Sequence, residues 1–303
     1  MKKILIFNIL FALLFSSVAA YAQDYEDDEE DEEVYEGFMT PKTSIVEQNI
    51  VKEKKIIEYS DPREQDILWK QTIWRIIDCR EKMNFHLYFP TDELSYRKSL
   101  AQALVEGINK KWVQAYDSEE FKGTLTVAQV MEQFDAGDQV ITESKMDGSG
   151  DTTYLVKNYI NWGEVREFMV KEEWYFDKRH SRLDVRILGL SPIRVYNRNL
   201  NVADEESALT GEEVRKQLFW VYFPEARRIL SRTTCYTGKN QSANLSYDDI
   251  FHKRYFSSYI TRESNPLNDR QISDYARNGR EAIMESEKIK TAIMEFESDR
   301  WEY

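Results

Sequence analysis

Residues 173–196 read EWYFDKRHSRLDVRILGLSPIRVY, which is two strand-like runs joined by the charged segment Asp177–Ser181. The second run alternates charged and apolar residues: Arg182, Leu183, Asp184, Val185, Arg186 and Ile187. A period of two places one set of side chains on a buried face and the other in water. The pattern predicts an antiparallel hairpin with one wet face, which serves as scaffold. Proline has no N–H to donate, so we expect Pro192 at a sheet edge or a strand end.

The overall composition is that of a folding chain with an acidic balance. The 303 residues are 42% hydrophobic and 31% charged, which is enough for one large domain or two modest ones. The formal net charge is -13. A general nucleic-acid binder needs a basic face to neutralise phosphates, so this charge argues against that class of protein.

The first 22 residues have the features of a secretory signal peptide. Lys2 and Lys3 precede the apolar run Ile4–Phe15, and Ala20–Ala22 has the small-x-small pattern of a cleavage site. The apolar run is shorter than the roughly 20 residues that a membrane-spanning helix needs. No cysteine for lipid attachment lies nearby, and no later run is long and apolar enough to span a bilayer. We therefore expect an exported protein without a membrane span of its own.

An acidic segment follows. Residues 24–33 read DYEDDEEDEE, and like charges at this density repel one another and bury nothing. We interpret residues 23–60 as a disordered acidic tail that leads into an extended arm. No linker divides residues 61–303, so we expect them to form a single α+β domain.

The first half of that domain contains several element signals. Asp61, Pro62 and Glu64 have the spacing of a helix start, and apolar residues recur at helical intervals through Lys82. The predicted elements are a helix from Asp61 to Lys82, a strand at Phe85–Phe89, a helix that begins at Thr91 and carries Leu100, Leu104, Ile108, Trp112 and Tyr116 on one face, a helix at Val127–Phe134, and a strand pair at Asp138–Lys145 and Thr152–Ile160.

The second half continues with the central hairpin. After it we predict a surface excursion at Asn197–Lys216, a buried strand at Gln217–Phe223, a helix from Pro224 to Leu230, a helix capped by Ser246 that ends at Arg254, a strand at Phe256–Arg262, and a terminal helix at Arg280–Trp301 with Ile283, Met284, Ile293 and Phe296 as its apolar stripe. The sum is an α+β fold, an antiparallel sheet with a central hairpin and helices before and after it.

The chain has two cysteines, Cys79 and Cys235. In an exported protein they could form a disulfide. A buried free thiol, which packs as a small hydrophobe, explains them equally well. The sequence leaves both readings open.

The motifs of common enzyme classes are missing from the sequence. It has no phosphate-binding loop, no His-Glu-x-x-His, no Gly-x-Ser-x-Gly and no Cys-x-x-Cys. The three histidines share no metal-ligand spacing, and Glu172–Glu173 is expected on a wet strand face. We therefore predict a protein that is not an enzyme and that has no cofactor and no metal site.

The order of longer motifs resembles the GldN/PorN family. The resemblance covers about residues 61–278 and rests on Trp69–Asn84 (WKQTIWRIIDCREKMN), Tyr88–Pro90, Glu173–Lys178, Arg186–Pro192, Leu218–Arg227, Ser246–Phe251 and Arg254–Ile260. It implies a periplasmic subunit of the type IX secretion apparatus of gliding and related bacteria. It also implies a ring built with a GldK/PorK-like outer-membrane lipoprotein, contact with the GldM/PorM-like motor protein, and no catalytic residues.

A ring subunit needs two unlike faces that meet head to tail, and buried aromatics and arginines usually anchor such contacts. Our candidate interface residues are Trp174, Tyr175, Arg186, Arg194, Tyr196, Arg227 and Arg228. We expect Arg186 and Arg194 to share the outward row of the hairpin, so that changing both to Glu leaves the monomer folded. Two other classes stay open. A periplasmic enzyme with a dispersed site would show a deep acidic pocket, and a carbohydrate- or peptide-binding module would show an aromatic groove.

Overall fold

The computed structural model describes residues 51–94, 97–144, 151–197, 213–236, 238 and 245–300. These residues all fall within one compact unit, Gln48–Tyr303. The expected signal peptide, the acidic tail and the first part of the arm lie outside the described residues, as do residues 198–212 of the predicted surface excursion.

An antiparallel sheet of eight strands forms the centre of the molecule. The strands of the described residues are β1 Ile67–Asp78, β2 Ala115–Tyr116, β3 Thr124–Leu125, β4 Gly137–Ser144, β5 Asp151–Asn158, β6 Val165–Asp177, β7 Arg182–Asn197, β8 Glu213–Gln217, β9 Trp220–Tyr222 and β10 Tyr259–Glu263. The main sheet runs β10-β1-β6-β7-β9-β2-β3, with β8 also paired to β7. Strands β4 and β5 form a separate two-stranded hairpin.

Six helices accompany the strands in the described part of the chain. They are α1 Phe85–Tyr88, α2 Leu100–Asn109, α3 Val127–Gln133, α4 Phe223–Leu230, α5 Tyr247–His252 and α6 Gly279–Ser298. Three of them begin with a capping box, in which a Ser or Thr hydroxyl and the side chain three residues later exchange hydrogen bonds with backbone N–H groups. These N-caps are Ser99, Thr126 and Ser246. The α+β class predicted from sequence is confirmed.

The strand pairing of the central hairpin is confirmed, whereas the expected alternation of buried and wet residues is not, since Leu183, Asp184, Val185 and Arg186 are all half-buried. Strands β6 and β7 pair from Asp177 opposite Arg182 to Val165 opposite Arg194. The predictions for α3, for the β4–β5 hairpin, for α4 and for the Ser246-capped helix are also confirmed. Locally encoded turns and caps account for these successes, since each element carries its own start or stop signal.

The predicted helix from Asp61 to Lys82 is wrong, because most of this segment is strand β1. It lies between β10 and β6, and residues Ile73–Ile77 are buried without a break. A strand buried on both faces loses the alternation that marks a half-wet strand, so its apolar residues also match a helical spacing. The capping signal before it produces only a short 3-10 turn, Glu64–Asp66.

Three further local predictions are wrong. The predicted strand at Phe85–Phe89 contains helix α1, and the helix expected from Thr91 begins at Leu100, where Ser99 supplies the cap. Tyr116, expected on that helix, lies in β2. The excursion at Asn197–Lys216 contains most of β8.

Pro192 lies inside strand β7, although we expected it at an edge or a strand end. Its carbonyl accepts a hydrogen bond from the backbone N–H of Leu218 at 3.0 Å, so this side of the residue faces the link between β8 and β9. A strand residue directs its N and its carbonyl oxygen to the same side. An N–H at position 192 would therefore point to the place where β7 changes its partner from β9 to β8. Its absence costs no backbone hydrogen bond between β7 and β6.

Two clusters of buried apolar side chains pack most of the helices against the sheet. The larger one joins α1, α2, α4 and α5 to the sheet, and in α2 it includes Leu100, Leu104 and Ile108. Fully burying a side chain of this size contributes about 1.5–3 kcal/mol. The thiols of Cys79 and Cys235 are free and buried in the same cluster, so the disulfide reading is not realised.

The smaller cluster lies under α6. Ile289 and Ile293 pack on Ile73 and Ile260, and the Phe296 ring stacks on Trp69 with 4.8 Å between centroids. The terminal helix is thus confirmed, but half of its predicted stripe is wrong. Ile283 and Met284 are exposed, while Ser286 is buried and accepts a hydrogen bond from the Ile260 N–H.

Candidate interaction surface

The arm before the domain is held by two arginines. The ring of Tyr59 lies between Arg186 and Arg227, whose guanidinium carbons are 4.1 and 4.2 Å from its centroid. Arg227, on α4, also makes a bidentate ion pair with Asp248 at 2.7 and 3.1 Å and donates to the Ile57 carbonyl at 2.6 Å. We call Tyr59, Arg186 and Arg227 the arginine clasp. Because burial raises the pKa of Tyr59, the phenol stays neutral between the two cations.

Arg186 completes the clasp from strand β7. It donates to the Ser60 carbonyl and, at 3.1 Å, to the hydroxyl of Tyr175. Tyr175 itself is buried. Two of the predicted interface residues, Arg186 and Arg227, therefore bind this chain's own arm, and a third, Tyr175, holds Arg186.

Trp174 belongs to a second cluster, built around a fully buried carboxylate. Glu172 Oε2 accepts hydrogen bonds from Arg75 Nε at 3.1 Å, Arg254 Nη2 at 3.1 Å and Trp174 Nε1 at 3.0 Å. We call Glu172, Arg75, Arg254 and Trp174 the Glu172 cluster. The expected wet face is wrong for Glu172, and it is right only for Glu173, which is partly exposed and pairs with Lys70 at 3.2 Å.

Arg194 and Tyr196 form a third group near the end of β7. Arg194 is buried, makes ion pairs with Glu164 and Asp135, and places its guanidinium carbon 4.6 Å from the Tyr196 ring centroid. The expected outward row shared with Arg186 is wrong, because the β6–β7 register shifts between Lys171 and Glu172 and leaves Leu188 as an extra residue on β7 between the two arginines. A Glu at position 194 would face two carboxylates inside the fold.

Arg228 is the predicted interface residue that is most exposed to solvent. Its guanidinium carbon lies 4.7 Å from the ring centroid of Trp112, and Arg232 and Lys110 approach the same ring at 5.5 and 5.1 Å. Cation–π contacts at exposed sites contribute about 0.5–1 kcal/mol each. They hold a basic group at the surface of a chain whose net charge is -13.

An exposed apolar surface was missed by the sequence reasoning. Met83, Phe85, Phe89 and Tyr255 are each between 43% and 53% exposed, and we call these four the apolar patch. The Phe85 and Phe89 rings meet edge to face at 5.9 Å, and Tyr255 lies beside His86 at 6.1 Å. We had predicted Phe85–Phe89 as a strand, and only its folding into α1 turns both Phe rings to solvent.

His86 is buried behind this patch. Its carbonyl accepts a hydrogen bond from the Tyr247 hydroxyl at 3.3 Å, and burial lowers the pKa of its imidazole. In the parts of the chain that the structure describes, no group of three His, Cys, Asp or Glu side chains could hold a metal ion. The helices among those residues are all too short or too polar to cross a membrane.

The residues that sequence reasoning missed come from distant parts of the chain. Arg75 and Arg254, which flank Glu172, are 179 positions apart in the printed numbering, and Tyr59 comes from the arm. No local pattern marks such partners. The sequence shows that Phe85–Phe89 is rich in aromatic residues, but it does not show which of their rings face solvent.

Comparison with known proteins gives one family. No curated protein matches this chain. Residues 62–302 match the family described as "Gliding motility associated protein GldN". That match covers most of the 303 residues and includes every strand and helix described above. The chain therefore belongs to the GldN family, a structural family of gliding motility and type IX secretion.

Proposed function

We propose that this protein is a periplasmic structural subunit of the type IX secretion apparatus. It assembles into a ring with a GldK/PorK-like outer-membrane lipoprotein and contacts the GldM/PorM-like motor protein. Its role is assembly and force transmission in protein secretion, without catalysis. Family membership supports the secretion role. The signal-peptide features of residues 1–22 support export, and the lipoprotein would hold the subunit at the outer membrane.

The apolar patch is the observation that carries the assembly role. Exposed apolar residues scattered singly are normal, whereas neighbouring large ones mark interaction sites. Phe85 and Phe89 touch each other and stay 43% exposed. Aromatic and methionine side chains are enriched where partners bind, because they bury much area at low entropic cost.

The patch is also backed by rigid structure, which favours a preorganised interface. Tyr88 lies between the two Phe residues in the sequence, and its hydroxyl donates a hydrogen bond to the Gly163 carbonyl at 2.8 Å. Asn84, just before them, is buried and donates to the carbonyls of Asp78 and Ser257. A surface held in this way loses little conformational entropy when a partner covers it.

The test is the double variant Phe85→Ser, Phe89→Ser, expressed with an affinity tag in the native host. We expect recovery of the lipoprotein and the motor protein to fall at least tenfold, and rings to disappear from negative-stain images. The matched control is Leu68→Ser, Leu267→Ser, which removes two apolar side chains of similar exposure from other segments. Circular dichroism checks that both variants fold.

Normal recovery and normal rings with the patch variant would show that the patch is not an interface. A tagged wild-type protein that leaves the envelope as a lone monomer, while other envelope complexes stay intact, would overturn the assembly role itself.

A further inference from the structure

A cavity of about 410 Å³ opens beside the Glu172 cluster. Helix α6 forms one wall of it with Ile293 and Met294, and β1, β6, β7, Met83 and the segment after α5 form the others. Arg75, Trp174 and Arg254 reach the cavity from the cluster. All of its lining residues are among the described ones.

The charges of the cluster do not balance. Two guanidinium groups share the single carboxylate of Glu172, which leaves one positive charge in excess. Burial lowers the pKa of Arg75, and the nearby Arg254 cation lowers it further, while Glu172 and Glu287 raise it. The other charged lining residues, Lys290 and Glu297, offset each other in number. Arg75 is the buried member of the pair, whereas the Arg254 side chain is 28% exposed, so the excess positive charge lies where a ligand can reach it and favours an anion.

Donors for that anion are present. Arg75 uses only Nε for Glu172, and its two terminal nitrogens make no hydrogen bond to another described residue. Arg254 directs Nη1 and Nη2 at Glu172, at 2.9 and 3.1 Å, and its Nε makes no hydrogen bond to another described residue. Planar guanidinium groups match carboxylates best, through paired N–H donors.

Besides the charged residues and Ser257 and Ser258, the lining is apolar. Met83, Leu183, Phe256, Ile293 and Met294 surround the arginines. Trp174 is held by cation–π contacts, with Arg75 and Arg254 at 5.6 and 5.2 Å from its ring centroid. A ligand that fits must therefore combine one negative charge with an apolar chain.

We propose that this cavity binds a carboxylate carried on an apolar chain, with the carboxylate at Arg75 and Arg254 and the chain against Met83, Phe256 and Met294. The C-terminal residue of a peptide and a fatty acid share this chemistry. The inference goes beyond the assembly role and does not depend on it, because it concerns the isolated folded protein.

The test is titration calorimetry of the purified protein with three probes. The first is a short acetylated peptide that ends in Phe-Leu with a free carboxylate, the second is its C-terminal amide, and the third is decanoate. We expect the amide to bind at least tenfold more weakly than the acid. Preference for the acid peptide would identify a polypeptide terminus as the ligand, and preference for decanoate would identify a fatty acid.

The variant Met294→Glu places a negative charge at the cavity and should weaken the binding of either carboxylate at least tenfold. Met284→Glu is the matched control on the same helix, since Met294 and Met284 are 62% and 55% exposed and Met284 does not line the cavity. Equal binding of acid and amide, equal effects of the two variants, or failure of both carboxylates to bind would each overturn the proposal. None of these results depends on ring formation.

Discussion

The side chain of Arg227 joins three segments of the chain, namely its own helix α4, helix α5 and the arm. It pairs with Asp248 on α5, donates to Ile57 in the arm and stacks on Tyr59. Replacing Arg227 by Ala leaves the Asp248 carboxylate buried without its cation. We expect the free energy of unfolding to fall by about 3–5 kcal/mol, which urea denaturation followed by circular dichroism would measure.

The neighbouring Arg228 provides the control for this prediction. It is exposed and lies over Trp112 without a buried ion pair, so Arg228→Ala should lower the free energy of unfolding by only about 0.5–1 kcal/mol. Trypsin should also cut after Lys54 and Lys55 faster in Arg227→Ala than in Arg228→Ala, because the clasp no longer holds the arm. Equal stability of the two variants would refute the role given to Arg227.

At the scale of elements, strand β7 depends on the missing side chain of Gly189. A Cβ at this position would lie 2.8 Å from Phe121 Cζ and 3.1 Å from Trp220 Cε3. We expect Gly189→Ala to lower the free energy of unfolding by about 1–3 kcal/mol, since a packed core must shift to admit a methyl group. Thermal unfolding followed by circular dichroism would show this as a lower midpoint.

Gly123→Ala is the comparison, because the nearest atom to its Cβ would be Asp117 Cβ at 3.6 Å, an ordinary contact. Because Gly→Ala also lowers the conformational entropy of the unfolded chain, Gly123→Ala should leave the unfolding midpoint unchanged or raise it slightly. A loss of stability as large as that of Gly189→Ala would show that crowding at β7 is not the cause.

Other elements show the limit of local signals. Strand β1 was predicted as a helix because its buried run, Ile73–Ile77, has no wet face to reveal a period of two. Helix α1 was predicted as a strand because four residues are too few to display any helical period. By contrast, α3 and α5 begin with a hydroxyl cap and were predicted correctly.

At the scale of the whole molecule, the two thiols report on global unfolding. Cys79 and Cys235 lie in the larger apolar cluster, and burial raises the pKa of both thiols, that of Cys235 to about 12. We expect neither to react with Ellman's reagent at pH 8 in the native protein. Added urea should release both together, along the same transition as the circular dichroism signal.

Rapid labelling of one thiol in native buffer would show local opening around that cysteine. A mass that is two hydrogens lower in the oxidised protein would reveal a disulfide and contradict the free thiols. Cys79→Ala and Cys235→Ala, each measured alone, assign the two reactions.

The sequence by itself determined the α+β class, the pairing of the central hairpin, the helices α3, α4 and α5, and the family. Each of these rests on local alternation, on a cap or turn residue, or on the order of long motifs, which are properties of neighbouring residues. It also selected residue types suited to binding, such as Arg186, Arg194 and Arg227. It did not determine their partners.

Only the tertiary structure decided which of those arginines face inward. Arg186 and Arg227 close on Tyr59, and Arg194 closes on Glu164 and Asp135, while α1 turns its aromatic rings to solvent. The physical reason is that burial and charge pairing join residues far apart in the chain, and their energies depend on distances that arise only after the sheet has formed.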